Sequence, residues 1–211
     1  SIRAGVDSCM SNTGQSCNAP TRMLIPGARK DEAYAIAKDA AEKVVAGDPK
    51  KDGTTIGPLV SDVQYEKVQN LIQKGIDEGA KLLIGGTGKP QGLEKGYYAK
   101  PTIFADVEND MTISKEEIFG PVLSMITYKN IDDAVAIAND TEYGLAAYVS
   151  GESKETLTSI ARRLRAGQIH INYGSAGPDA PFGGFKQSGN GREKAEWGLE
   201  EFLEVKAIMG T

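Results

Sequence analysis

Between Asp31 and Val45 the apolar residues Ala33, Ile36, Ala37, Ala40, Val44 and Val45 recur at helical spacing, and Gly47 and Pro49 follow as stop signals. The pattern predicts an amphipathic helix. A second is predicted where Ser61 and Gln64 form a capping box and Val68, Leu71, Ile72 and Ile76 continue one face up to Gly79. Short apolar or β-branched runs bounded by Gly, Asp or Asn predict strands over 81–84, 101–107, 122–128 and 145–149. Residues 131–138, capped at Asn130, and 153–165, with Leu157, Ile160, Ala161 and Leu164 inward and Gly167 closing, read as further helices; 168–172 reads as another strand. Strands alternating with helices imply βαβ crossovers, hence an α/β fold with a mostly parallel sheet flanked by helices.

Residues 174–192 break the rhythm with six glycines, Pro178 and Pro181. An irregular segment this long, directly after a predicted strand, is where an α/β protein places its site. No repeat, low-complexity tract or linker appears, so residues 1–211 are expected to form one domain.

Composition narrows the chemistry. With 40% hydrophobic and 25% charged residues the chain can bury a full core, and a net charge of −5 with dispersed Lys and Arg gives no basic footprint for nucleic acid. There is no apolar run of membrane-spanning length and no signal-peptide pattern at the N-terminus, so a soluble, cytoplasmic location is expected. Two cysteines, eight residues apart, and one histidine are too few for a disulfide framework or a ligand-complete zinc site, so no metal is expected.

Two glycine-rich loops fail as phosphate binders. In Gly85-Gly86-Thr87-Gly88-Lys89 the first glycine of a P-loop is replaced by Leu83, and Pro90 stands where the magnesium-binding hydroxyl would be; in Gly189-Asn190-Gly191 the third fingerprint glycine is replaced by Lys194.

Cys17 is different. It lies in Ser11-Asn12-Thr13-Gly14-Gln15-Ser16-Cys17-Asn18-Ala19, a run of small, polar and turn-forming residues that presents a thiol instead of packing it. A thiolate attacks carbonyls, and Gly14 permits close backbone approach near it. Cys9, beside Val6 and Met10, reads as core.

The Cys17 run, continued by Pro20, Thr21 and Arg22, resembles the active-site cysteine segment of the aldehyde dehydrogenase superfamily. The resemblance extends through Glu116-Glu117-Ile118-Phe119-Gly120-Pro121-Val122, Asn139 to Gly144-Leu145, Asn172, Pro181-Phe182-Gly183-Gly184 with Lys186, Ser188-Gly189 and Gly191-Arg192-Glu193. It implies the catalytic domain of an NAD- or NADP-dependent enzyme that oxidises an aldehyde to a carboxylic acid. Cys17 would form a thiohemiacetal and then a thioester, with Ser16 and Asn18 beside it in the active-site loop.

By the same resemblance Glu117 binds the nicotinamide ribose and Phe119 packs near the nicotinamide. Read locally, Glu117 could instead complete a capping box with Ser114, and Phe119 could be core. Asn172 could meet substrate or steady a turn; Phe182 could line the aldehyde pocket or stand in a glycine-dependent corner. His170, alternating with Ile169 and Ile171, reads as a strand-face histidine. Residues 203–208 resemble the family's terminal strand. The family's dinucleotide-binding domain, oxyanion asparagine and general-base glutamate precede the cysteine segment, so a missing N-terminal domain is expected, and with it inactivity of the isolated chain. The complete enzyme would be a homodimer or homotetramer. The alternatives are a thiol hydrolase or acyltransferase using Cys17 and His170, and a non-catalytic domain that keeps the fold. Residues 173–180 carry Asp179 as their one charge, which argues against a carboxylate-bearing aldehyde.

Overall fold

The computed structural model describes residues 1–210. They divide into two compact units, Ser1–Ala138 and Asn139–Thr211, each with its own sheet.

In the first unit, helix α1 (Ile2–Met10) leads through a 3₁₀ turn (Ser11–Gly14) to strand β1 (Arg22–Pro26), followed by α2 (Lys30–Ala41), α3 (Asp62–Asp77), β2 (Lys81–Ile84), β3 (Thr102–Ala105), the short α4 (Thr112–Lys115), β4 (Val122–Tyr128) and α5 (Ile131–Asn139), which ends at the unit boundary. The sheet order is β1-β4-β3-β2. Strands β1, β4 and β3 run parallel, with Arg22 opposite Ser124 and Thr102 opposite Val122, and β2 adds an antiparallel edge.

Strand β4 is apolar at almost every position because both faces of the sheet are covered. Ile103, Leu123 and Met125 face Val6, Met10 and Ala37 of α1 and α2, whereas Phe104, Val122 and Ile126 face Val68 and Ile72 of α3. Period-two side-chain direction thus sorts one continuous run between two helical layers. Cys9 belongs to the first of these clusters, as its apolar neighbours suggested.

The predicted helix over 31–45 is shorter. Val44 and Val45 leave it because Val45 exchanges hydrogen bonds with Thr55, and Ala46 bridges to Ile56, so the apolar pair serves a strand-like contact. Strand β1 and helix α1 had no counterpart among the expected elements. Asn130 does cap α5, accepting from the Asp133 amide at 2.9 Å.

The second unit contains β5 (Ala146–Val149), α6 (Lys154–Arg163) and β6 (Gln168–Ile171), a single parallel βαβ crossover with Ala146 opposite Gln168, then α7 (Ala195–Glu200). Residues 203–208 do not form the expected strand. They pair with no other strand among the described residues and are exposed throughout, Val205 completely; an alternating sequence becomes a strand only when a partner edge accepts its hydrogen bonds.

Candidate active site

Cys17 occupies the second position of a β-turn in which Ser16 O accepts the Ala19 amide at 3.0 Å; Asn18 takes the third position, and both corner side chains are exposed. The turn is entered through three successive left-handed residues, Asn12 (φ 50°), Thr13 (φ 59°) and Gly14 (φ 70°). For Asn and Thr this conformation costs roughly 1–2 kcal/mol each, so the surroundings must impose it. Thr13 Oγ1 donates to Gly57 O at 3.2 Å, Asn12 Nδ2 to Gln15 O at 2.9 Å, and Gln15 Oε1 accepts the Val60 amide at 2.9 Å. Backbone strain over-determined in this way is characteristic of functional loops.

Glu117 and Phe119 lie on the loop that enters β4, beside the cysteine loop that enters β1. Because β1 and β4 are adjacent and parallel, the two loops emerge side by side at the amino ends of their strands, and Ser124 N donates to Thr21 O at 2.9 Å. Their contact is backbone on backbone: a Cβ on Gly14 would lie 2.0 Å from Gly120 O, and one on Gly120 would lie 2.6 Å from Val68 Cγ2 of α3. Glycine at both positions lets the cysteine loop, the Glu117–Gly120 loop and α3 stack without a gap.

The Glu117 side chain is exposed and Phe119 is half-buried, in a left-handed conformation (φ 56°). The local alternatives are not what folds. Ser114 lies inside α4, whose N-cap is Met111, and its Oγ is buried without a partner. Glu78 caps α4 instead, its carboxylate accepting from Thr112 Oγ1 at 2.6 Å and Thr112 N at 2.7 Å; these bonds, the hydroxyl's first, hold the carboxyl below its ordinary range. The Ser61 capping box is half formed. Ser61 Oγ accepts the Gln64 amide at 3.2 Å, but the Gln64 side chain turns away and donates to Ile118 O at 3.0 Å and Phe119 O at 2.8 Å.

The two cysteines differ sharply. Burial pushes the Cys9 thiol up to about 12, and its Sγ lies 3.6 Å from Val122 O, whereas Cys17 faces solvent. Iodoacetamide is therefore expected to label Cys17 and leave Cys9 untouched until the core unfolds, as read by peptide mass; equal labelling of the two would contradict this placement.

Asn172 and Phe182 belong to the second unit. Asn172, also left-handed (φ 50°), uses its whole amide on Gly151, accepting from its N–H at 3.0 Å and donating to its carbonyl at 3.1 Å. Of the two roles left open for it, the turn-steadying one is visible. Phe182 pairs through its backbone with Glu193, and Lys194 Nζ sits 5.6 Å from its ring centroid. It stands in a tightly packed corner, where a Cβ on Gly184 would meet Ser188 Cβ at 2.4 Å. His170 lies on β6 as expected. It stacks on Tyr148 at 4.8 Å, its Nδ1 faces Gly174 O at 2.8 Å and its Nε2 is buried without a partner, so neither ring nitrogen is presented as a base.

The model of the aldehyde dehydrogenase family matches residues 1–208. The chain belongs to the aldehyde dehydrogenase family. It is 55% identical over 208 residues to proteins of Staphylococcus haemolyticus and Staphylococcus aureus that carry provisional aldehyde dehydrogenase names, covering 99% of this chain and 44% of theirs. Among solved structures it is similar to a mutant of aldehyde dehydrogenase C from Pseudomonas syringae, complexed with NAD+ and octanal (52% identity, TM-score 0.97, 99% of this chain and 43% of that one). An aldehyde dehydrogenase from Bartonella henselae follows at 51% identity and TM-score 0.96, over 98% of this chain and 44% of that one. The chain thus spans less than half the length of the relatives it matches. The fold and the mainly parallel sheet are those of aldehyde dehydrogenases.

Among the described residues no helix is long and apolar enough to cross a membrane, and no three His, Cys, Asp or Glu side chains are grouped to hold a metal. What the sequence does not show is the scaffold behind the site: locally Gln64 reads as a helix cap and Gln15 as a motif position, and only the fold shows that their amides hold the two loops.

Proposed function

We propose that this chain is the cysteine-bearing, catalytic part of an NAD(P)-dependent aldehyde dehydrogenase. The observation that carries the reading is the Gly14–Gly120 contact, which sets an exposed thiol loop against the loop bearing Glu117 and Phe119.

The residues present fit a nicotinamide dinucleotide. A carboxylate in solvent can accept both hydroxyls of a ribose diol, and a half-buried ring beside it can cover a flat heterocycle; Glu117 and Phe119 are two residues apart on one loop. NAD or NADP, when bound, supplies the hydride acceptor that converts the cysteine adduct to a thioester.

The chain's own work begins at Cys17. Its thiolate Sγ adds to the aldehyde carbon, forming a C–S bond and moving the carbonyl π pair onto oxygen. The Cys17 backbone N–H donates to that oxyanion, joined by an asparagine of the N-terminal part that the family supplies. After oxidation water attacks the thioester, the C–S bond breaks with its pair returning to Sγ, and the carboxylic acid leaves. Holding Cys17 at a turn corner, in solvent, leaves space for an incoming aldehyde on its open side.

The substrate class we favour is uncharged aldehydes. The Pseudomonas syringae relative was solved with octanal, an uncharged aldehyde. Two free cysteines and no disulfide fit a reducing compartment, and the cytoplasm is the location proposed. A homodimer or homotetramer is the assembly proposed for the complete enzyme.

The test compares two preparations with octanal and either dinucleotide, following absorbance of the reduced nicotinamide. The polypeptide of residues 1–211 is expected to show no turnover above background, and the natural polypeptide that carries it together with an N-terminal dinucleotide-binding part is expected to turn over. Robust oxidation by residues 1–211 alone would overturn the division of labour; none by the longer protein, with octanal or shorter aldehydes, would overturn the activity.

A further inference from the structure

We infer that Gln64, on the first turn of α3, is a positioning residue: its side-chain amide holds Phe119 in its left-handed conformation and thereby sets the face that Phe119 and Glu117 present to the dinucleotide. The inference rests on the function proposed above and goes beyond it.

Phe119 is an aromatic residue at φ 56°, where an L side chain is disfavoured by roughly 1–2 kcal/mol. Such a backbone persists only when something outside it imposes the geometry. Gln64 Nε2 meets both carbonyls that flank the Phe119 N–H and Cα, Ile118 O at 3.0 Å and Phe119 O at 2.8 Å. An amide nitrogen has two N–H groups, one for each carbonyl. In extended backbone the carbonyls of successive residues point to opposite sides; here the left-handed residue between them turns both toward one donor.

The donor is itself fixed. Gln64 lies in the first turn of a 16-residue helix, and its backbone amide is bound to Ser61 Oγ. The segment just before that helix is tied to the cysteine loop, with Gly57 O accepting from Thr13 and Val60 N donating to Gln15. Residues 57–64 therefore hold the cysteine loop at one end and the Phe119 loop at the other. The spacing between thiol and cofactor loop is set by this segment as well as by the sheet.

Binding of NAD+ and NADP+ to the natural full-length protein, measured by equilibrium titration without substrate, tests the assignment. Gln64→Met keeps the length and removes both donors. We expect the Kd of the dinucleotide the protein prefers to rise about five- to tenfold, with the rate of Cys17 alkylation in the absence of dinucleotide unchanged. Glycine adopts the left-handed region freely, so in a Phe119→Gly background the same substitution is expected to change Kd by less than about twofold. An equal effect in both backgrounds would mean that Gln64 acts on the ligand directly, and would overturn the proposal, as would an unchanged Kd in Gln64→Met alone. Should that variant fail to fold, Gln64→Lys carries the test: it restores N–H donors to two carbonyls, as Lys186 Nζ supplies to Asn139 O and Thr141 O, and must bind within about threefold of wild type. A wild-type protein that binds neither dinucleotide overturns the parent reading and this role with it.

Discussion

Cys17→Ala, made in the natural full-length protein, is expected to lower kcat for aldehyde oxidation by at least about 10⁴-fold, the scale on which removal of a covalent nucleophile acts. The reasoning is local. Without Sγ the aldehyde carbon acquires no covalent partner, and nothing else near the turn can replace it, because Cys9 is buried and held as a neutral thiol. Stability should hardly change. The Cys17 side chain is exposed at a turn corner, and surface substitutions away from packing or caps stay within about 0.5 kcal/mol. Dinucleotide Kd should also be kept, since Glu117 and Phe119 sit on a loop whose contact with the cysteine loop runs through Gly14 and not through Cys17. Cys17→Ser gives a second point: a hydroxyl of the same shape but far higher pKa should recover less than about one per cent of wild-type rate. Turnover by Cys17→Ala above one per cent would rule out thiohemiacetal chemistry at this residue and return the chain to a non-catalytic role.

How far the chain could be read from its sequence depends on which forces wrote each element. β2, β4, α3 and α6 were legible to within one or two residues because each carries an unbroken period and a cap or breaker of its own: Ser61, Gly79 and Ser153 act where they stand. α1 is invisible for a different reason. Gly5 interrupts its stripe and Ser1 at the N-cap makes no side-chain capping bond, so its helicity comes from Val6, Cys9 and Met10 packing on α2 and the sheet. β1 ends in Pro26, and a proline depresses any strand reading, yet an edge strand tolerates it where no ladder donor is required. The terminal run at 203–208 failed in the opposite sense: alternation was present but no partner strand was.

The candidate site shows the same division. Cys17, Glu117 and Phe119 were singled out by their motifs, but the motif could not say why Gly14 and Gly120 are part of it, nor that Gln64 donates across 54 and 55 positions to the loop. Those are long-range contacts, and a local capping box claimed the glutamine first. Asn172 and Phe182 reveal the converse. The Asn172 amide is clamped on Gly151, a use of its side chain that the motif did not show, whereas Phe182 is held through its backbone by Glu193.

Gly14→Ala should be among the most damaging single-methyl changes in the chain. Two costs add at this position. The dihedral is left-handed (φ 70°), where alanine is disfavoured by roughly 1–2 kcal/mol. The new Cβ would also fall 2.0 Å from Gly120 O and 2.8 Å from Pro121 N, backbone atoms that cannot swing aside as a side chain would, with Val68 packed behind Gly120. Relief requires the two loops to part, which opens the contact that joins the thiol to the cofactor loop. We expect a loss of about 3–5 kcal/mol, a large share of the 5–15 kcal/mol typical of a folded protein. Any folded fraction should bind dinucleotide more weakly and oxidise aldehyde more slowly than wild type. Gly53→Ala separates the two costs: Gly53 is equally left-handed (φ 84°), but a Cβ there meets nothing within 4 Å, so only the dihedral is charged against it, about 1 kcal/mol. Urea midpoints of the two variants make the comparison. If they matched, the Gly14–Gly120 contact would be no tighter than open space, and the juxtaposition on which the catalytic reading depends would be lost; if Gly14→Ala alone collapsed, the two loops would be shown to fold as one piece.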